Sequence, residues 1–135
     1  MANIGIIGAG SWGTALAWLL SNNGSRVTVW SVIEEEIQML KEGREQKDKL
    51  PGVILPADME FTTDLASAVE GKDMLVLAVP SPYTRSTAAK MAPYVKSGQK
   101  IINVAKGIEE STLMTLSEII EEEIPQAETA VLSGP

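Results

Sequence analysis

Between the short apolar run Asn3-Ile4-Gly5-Ile6-Ile7 and a stretch in which Trp12, Ala15, Leu16, Leu19 and Leu20 recur at helical spacing lies Gly8-Ala9-Gly10-Ser11-Trp12-Gly13. The order reads as buried strand, glycine turn and amphipathic helix. Each glycine answers a separate demand: one turns the backbone sharply off the strand, one leaves room for a ligand to approach the main chain, and one lets helix and strand pack closely. The helix that follows offers unpaired N–H groups and the positive end of its dipole, which suits a pyrophosphate. Asn23-Gly24 ends the helix, and Arg26-Val27-Thr28-Val29-Trp30 supplies a second strand at once. Strand, turn, helix and strand thus fill the length of a βαβ unit with a G-x-G-x-x-G turn, the fingerprint of a dinucleotide-binding domain.

The rest of the chain repeats the alternation. Ser31 and Glu34 have the spacing of a capping box for a second helix, with Ile33, Ile37 and Leu40 facing inward and Gly43 near its end. Residues 44–59, charged and then marked by Pro51 and Pro56, read as a long irregular connection. Strands are expected at Glu60-Phe61-Thr62, Met74 to Val79, Lys100 to Val104 and Thr129 to Leu132. Helices are expected over about Asp64–Glu70, Pro82–Lys96 and Thr112–Glu123. Strands alternating with helices throughout specify an α/β fold, a doubly wound parallel sheet (Rossmann fold) in a single domain over residues 1–135.

Composition narrows the chemistry. The 135 residues include no cysteine and no histidine, so disulfides, thiol nucleophiles and histidine-based acid–base or zinc chemistry have no source within this sequence. The formal charge of −7 argues against a nucleic-acid surface, and an anionic cofactor has to be held by local geometry against that field. The acidic runs Glu34–Glu36, Glu109-Glu110 and Glu121–Glu123 read as solvated helix faces, and no metal site is expected. With no apolar stretch of spanning length and no leader-like start, neither a membrane nor an export route is expected, and the expected location is the cytoplasm.

In a doubly wound sheet, ligands bind beyond the carboxyl ends of the strands at the switch in strand order. Four segments should meet there: Gly8 to Gly13, Trp30-Ser31, Pro80-Ser81 and Ala105-Lys106-Gly107. Lys106, at a strand end before a glycine, can face the crevice as a compact donor to a carbonyl or phosphate oxygen. The cofactor remains open between NAD and NADP. An acidic residue after the second strand grips the ribose hydroxyls of NAD and a basic one the 2′-phosphate of NADP. Trp30-Ser31-Val32 offers neither, and the missing base tilts the balance slightly toward NAD.

With these residues placed, the chain resembles the amino-terminal domain of the NAD(P)-dependent glycerol-3-phosphate dehydrogenases. The resemblance runs end to end, through Gly8 to Ala17, Trp30, Leu50-Pro51, Leu55-Pro56, Val79-Pro80-Ser81, Lys106-Gly107-Ile108-Glu109 and Leu132-Ser133-Gly134-Pro135. It implies interconversion of glycerone phosphate and glycerol 3-phosphate with NAD or NADP, as in glycerol-3-phosphate metabolism and phospholipid biosynthesis. It implies cofactor contacts from Ser11, Trp12 and Lys106, beside Gly8, Gly10 and Gly13 of the fingerprint and Trp30, Ser31 and Pro80 at the strand ends. Lys106 and Gly134 would touch the small-molecule substrate, with Lys106 orienting its carbonyl. The family's catalytic lysine lies in a helical carboxyl-terminal domain absent from this sequence, so the chain is expected to be a fragment of a longer two-domain enzyme, inactive alone. Family members often form homodimers. The chain departs from the pattern in two places: Ser31-Val32 stand where bacterial members often carry a basic residue, and Lys49 replaces a tyrosine common before the first Leu-Pro. The alternatives are the cofactor domain of another small-substrate dehydrogenase, a stand-alone NAD(H)-binding redox sensor, and a structural subunit with an empty crevice.

Overall fold

A computed structural model describes residues 2–104 and 107–131 of the chain. Six parallel strands form one sheet: β1 (Asn3–Ile7), β2 (Arg26–Trp30), β3 (Glu60–Thr62), β4 (Met74–Leu77), β5 (Lys100–Asn103) and β6 (Glu128–Val131). Five helices alternate with them: α1 (Ser11–Asn22), α2 (Glu34–Gly43), α3 (Leu65–Val69), α4 (Thr84–Met91) and α5 (Leu116–Glu123). The strand order is β3-β2-β1-β4-β5-β6. The chain therefore builds outward from β1 in one direction and returns to start again at β4, so the order reverses between β1 and β4. Ile7 pairs with Trp30 on one side and with Leu77 on the other, which brings three strand ends level at that switch point.

Side-chain alternation sends the two faces of the sheet into separate cores. Ile4, Ile6, Val27, Val29 and Val76 pack under α1 and α2 with Ile37, Leu40 and Phe61. Ile7, Trp30, Leu75, Leu77 and Ile101 pack under α3, α4 and α5 with Val69, Met91 and Ile120. Right-handed crossovers place helices on one face while the chain steps outward from β1 and on the other once it restarts at β4, so the reversal in strand order covers both faces.

The expected elements are present, with informative differences. The apolar stripe of α1 is only in part its buried face: Leu16 and Leu20 pack against the core, Trp12 and Leu19 are exposed, and the fully buried positions are Gly13, Thr14 and Ala17. Small residues take that face because the helix runs so close to the strand. Its carboxyl end is a Schellman turn, with Ser25 N–H bonded to Leu20 O, Gly24 N–H to Ser21 O, and Gly24 at φ +90°. The expected capping box of α2 does not form. Ile33 is the residue before that helix and is exposed, no side chain caps it, and Ser31 Oγ donates instead to Glu36. β4 ends at Leu77: Ala78 N–H makes the last bond to β1, at Ile7 O, and beyond it Ala78 and Val79 line the crevice.

α4 is shorter than the expected Pro82–Lys96. Single 3₁₀ turns at Ser81–Tyr83 and Ala92–Tyr94 flank it; at its far end Pro93 has no N–H to continue the helical bonding. α5 starts at Leu116, four residues later than expected. Residues 109–114 form a compact turn closed by Leu113 N–H to Glu109 O and Glu109 N–H to Met114 O, with Leu113 at φ +62°. The capping box belongs to Thr115 and Glu118, each side chain bonding the other's backbone N–H.

Candidate dinucleotide site at the carboxyl edge of the sheet

The ends of β1, β2 and β4 open into a crevice of about 720 Å³, a volume in the range of small-molecule sites. Its floor is the glycine turn. Gly8 takes φ +124°, and a Cβ there would meet Ala78 O at 2.7 Å; its N–H donates to Trp30 O at 2.9 Å, tying the turn to β2. A Cβ on Gly13 would lie 2.1 Å from Gly8 O, so only glycine lets α1 pass this close. Gly10 differs: a Cβ there would meet nothing within 4 Å, because it faces the open crevice. That open space, beside the uncapped start of a helix with no acidic residue in its first turn, fits an anionic pyrophosphate.

The turn is held from behind. Ala9 O accepts from Thr14 Oγ1 at 3.2 Å and from the fully buried Gln46 Nε2 at 2.7 Å. Ser11 Oγ donates to Lys49 O at 2.9 Å, which fastens residues 44–50 along the rim. Arg44 anchors the same connection farther on, with Nη2 bonded to Pro56 O and Met59 O and the guanidinium over the Phe61 ring at 4.7 Å. Of the long irregular segment only Lys49 lines the crevice, and the contacts of Gln46 and Arg44 hold the rest of it behind that rim.

Of the expected cofactor residues, Gly8, Gly10, Ser11, Trp12, Trp30, Ser31 and Pro80 line the crevice together. Gly13 lies beneath it as a packing residue. Trp12 is exposed at the mouth, whereas Trp30 is buried with Nε1 donating to Thr63 O at 3.0 Å. Lys106 and Gly134 lie outside the described residues; Val104, just before that loop, reaches the lining. Glu36, Lys49 and Tyr83 also line the crevice, and sequence reasoning had assigned none of them a place. The Glu36 carboxylate accepts from Ser31 Oγ at 2.7 Å, Gln46 Nε2 at 2.9 Å and Lys49 Nζ at 3.0 Å. Their signal was weak: Glu36 sits inside an acidic run, and Lys49 in a charged loop.

The other two acidic runs are not purely solvated either. Arg85 of α4 holds Glu109 with two nitrogens, Nε at 2.9 Å and Nη2 at 3.0 Å, and reaches Glu122 and Glu123 at 2.6 Å. The Glu109 hydrogen bond first, with those of Glu122 and Glu123, pushes the guanidinium pKa up from its ordinary value. The Arg85 hydrogen bond, followed by that of Thr112, holds the Glu109 carboxyl below the usual carboxylate range. This pairing fixes Glu109, two residues beyond Gly107, against α4 and α5. Among the described residues no cluster of carboxylates is arranged for a metal ion, and no helix is long and apolar enough to cross a membrane.

Comparison with known proteins agrees with this geometry. Residues 3–135 match the family model described as the NAD-dependent glycerol-3-phosphate dehydrogenase N-terminus. A glycerol-3-phosphate dehydrogenase [NAD(P)+] of Agathobacter rectalis is 62% identical over 135 residues, covering all of this chain and 40% of that protein. One from Fusobacterium nucleatum is 49% identical over 137 residues, covering 41% of its length. A crystal structure of glycerol-3-phosphate dehydrogenase from Coxiella burnetii superposes with a TM-score of 0.92 at 30% identity, over 99% of this chain and 41% of that one. The chain thus spans about two fifths of the length of the relatives it matches.

Proposed function

The chain belongs to the family of the NAD-dependent glycerol-3-phosphate dehydrogenase N-terminus and is its NAD(P)-binding domain. On that premise we propose that residues 1–135 are the cofactor half of a two-domain enzyme that interconverts glycerone phosphate and glycerol 3-phosphate. The observation that carries the reading is the turn itself, where Gly8 and Gly13 are sterically required by the fold while Gly10 is left bare toward an open crevice. A backbone shaped that way at a helix start serves a phosphate-bearing ligand.

Bound dinucleotide supplies the hydride donor or acceptor for the central carbon of the substrate. The chain's own part is positioning. Amides of the turn and the start of α1 hold the pyrophosphate. Trp30 and Ser31 would wall the adenosine side, Ser11 and Trp12 would lie on the phosphate side, and Pro80 bounds the crevice at the end of β4. Lys106 is assigned the substrate side, where its ammonium orients the carbonyl oxygen, and Gly134 the substrate phosphate. The catalytic lysine, which transfers the proton, belongs to the remaining length of the relatives. Holding ketone and cofactor together is a large share of the rate in such a reaction, so this half alone should bind without turning over. The full-length enzyme is proposed to act as a cytoplasmic homodimer.

The test is a titration of the purified chain with NADH and with NADPH, followed by tryptophan fluorescence from Trp12 and Trp30. Saturable quenching by a dinucleotide, with no detectable oxidation of NADH by glycerone phosphate, is the expected result. A folded chain that responds to neither cofactor overturns the reading.

A further inference from the structure

Resting on that reading, we infer that Glu36 is the specificity-determining residue of the adenosine side, accepting the ribose 2′-hydroxyl of NAD and disfavouring the 2′-phosphate of NADP. The acidic residue missing from the end of β2 in the sequence is supplied from α2. Ser31 directly follows β2, and its hydroxyl accepts from Ile33 N–H at 3.1 Å and donates to Glu36 Oε1 at 2.7 Å. The carboxylate is thereby pinned beside the strand end, on the crevice wall, with its side chain only 10% exposed.

Its other oxygen is fixed as firmly. Oε2 accepts from Gln46 Nε2, whose amide also donates to Ala9 O, so Glu36 and the phosphate turn share one buried strut. Gln46 Oε1 is left buried with no partner in that arrangement. Flipping the amide would set its oxygen against both the Glu36 carboxyl oxygen and the Ala9 carbonyl, so these two acceptors together dictate the orientation. The fold tolerates an unpaired buried acceptor to keep this carboxylate in place.

The charges that line the crevice among the described residues are those of Glu36, Lys49 and Lys90. Lys49 is the cation near the end of β2, and Glu36 already holds it at 3.0 Å. A 2′-phosphate, with nearly two negative charges, would meet a carboxylate and a lysine that is already paired. A 2′-hydroxyl would meet an acceptor oxygen whose remaining lone pair it can use. Val32 and Ile33, exposed on the same wall, add apolar surface for the adenine and no charge.

The experiment is the NADH and NADPH titration extended to Glu36→Gln, Lys49→Met and the double variant. The native chain should bind NADH more tightly. E36Q keeps the hydroxyl contact to Ser31 but removes the charge and frees Lys49, so the NADH-to-NADPH affinity ratio should fall by about tenfold or more, chiefly through tighter NADPH binding. K49M in the E36Q background should abolish that gain. A native preference for NADPH, or an E36Q ratio within about threefold of native, overturns the inference while the binding function stands. A native chain that binds neither dinucleotide sinks the function and the inference together. Salt gives a second measurement on the native chain alone, which decides the matter if E36Q does not fold. Raising ionic strength from about 0.05 M to about 0.5 M should narrow the preference for NADH, because repulsion is screened. If Lys49 instead holds the phosphate, the preference widens and the inference fails.

Discussion

Gly10 and Gly13 stand three residues apart in one turn and meet opposite surroundings. An alanine Cβ at Gly13 would sit 2.1 Å from the backbone oxygen of Gly8, and nothing flexible can yield, so α1 has to move off the sheet. Gly13→Ala should cost roughly 1–3 kcal/mol, read as a lower denaturant midpoint. At Gly10 the backbone is extended, φ −76°, and the added methyl meets open space. Gly10→Ala should leave stability within about 0.5 kcal/mol of native. It should nevertheless weaken NADH binding by about tenfold or more, since the methyl stands where the pyrophosphate approaches. If G10A binds like the native chain, the turn is not the phosphate site. The glycine spacing announced the turn, but it did not say which glycine serves packing and which serves the ligand. Only the neighbours of each Cβ separate the two.

At the level of elements, local chemistry decided helix starts less simply than spacing suggests. Ser31 and Glu34 have the capping-box pattern, yet the Ser31 hydroxyl is committed to Glu36 across the first turn of α2. Thr115 and Glu118 do form the box, each side chain bonding the other's backbone N–H. Thr115→Ala should destabilise the chain by about 1 kcal/mol in thermal or denaturant unfolding. The Thr115 backbone hydrogen bond, and then its side chain, hold the Glu118 carboxyl below the ordinary value, as Arg85 and Thr112 do for Glu109. Lowered in the fold, both groups contribute stability that is fully present above about pH 4.5 and is lost as pH falls through their folded pKa values. The variant Glu109→Gln, which cannot titrate, should therefore show a shallower loss of stability on acidification below about pH 4.5 than the native chain. An unchanged acid limb would mean that the Arg85 pairing does not persist in solution.

For the molecule as a whole, two cores share one sheet, and the crevice opens where its strand order reverses. Leu77→Ala empties a fully buried position beneath α4 and should cost about 2–5 kcal/mol, a loss measurable in urea. Cofactor should restore part of such a loss: dinucleotide at about a hundred times its dissociation constant adds about 2.7 kcal/mol, seen as a rise in Tm. A Tm that ignores both dinucleotides would argue that the native fold does not bind them. The alternation of apolar runs and amphipathic stretches made the parallel sheet legible from the sequence, because strand and helix periods are local properties of the chain. The fingerprint likewise located the phosphate turn, since its glycines answer local backbone demands. Gly5 shows the limit, being inconspicuous in sequence yet required because a Cβ there would lie 2.1 Å from Ala68 O of α3. The crevice wall shows it again. Gln46 is 37 residues from Ala9 and 10 from Glu36 in sequence, yet one buried amide joins them. Which of several glutamates becomes the acceptor beside β2 depends on which loop folds back over the turn. That choice was made by long-range packing, and only the tertiary structure records it.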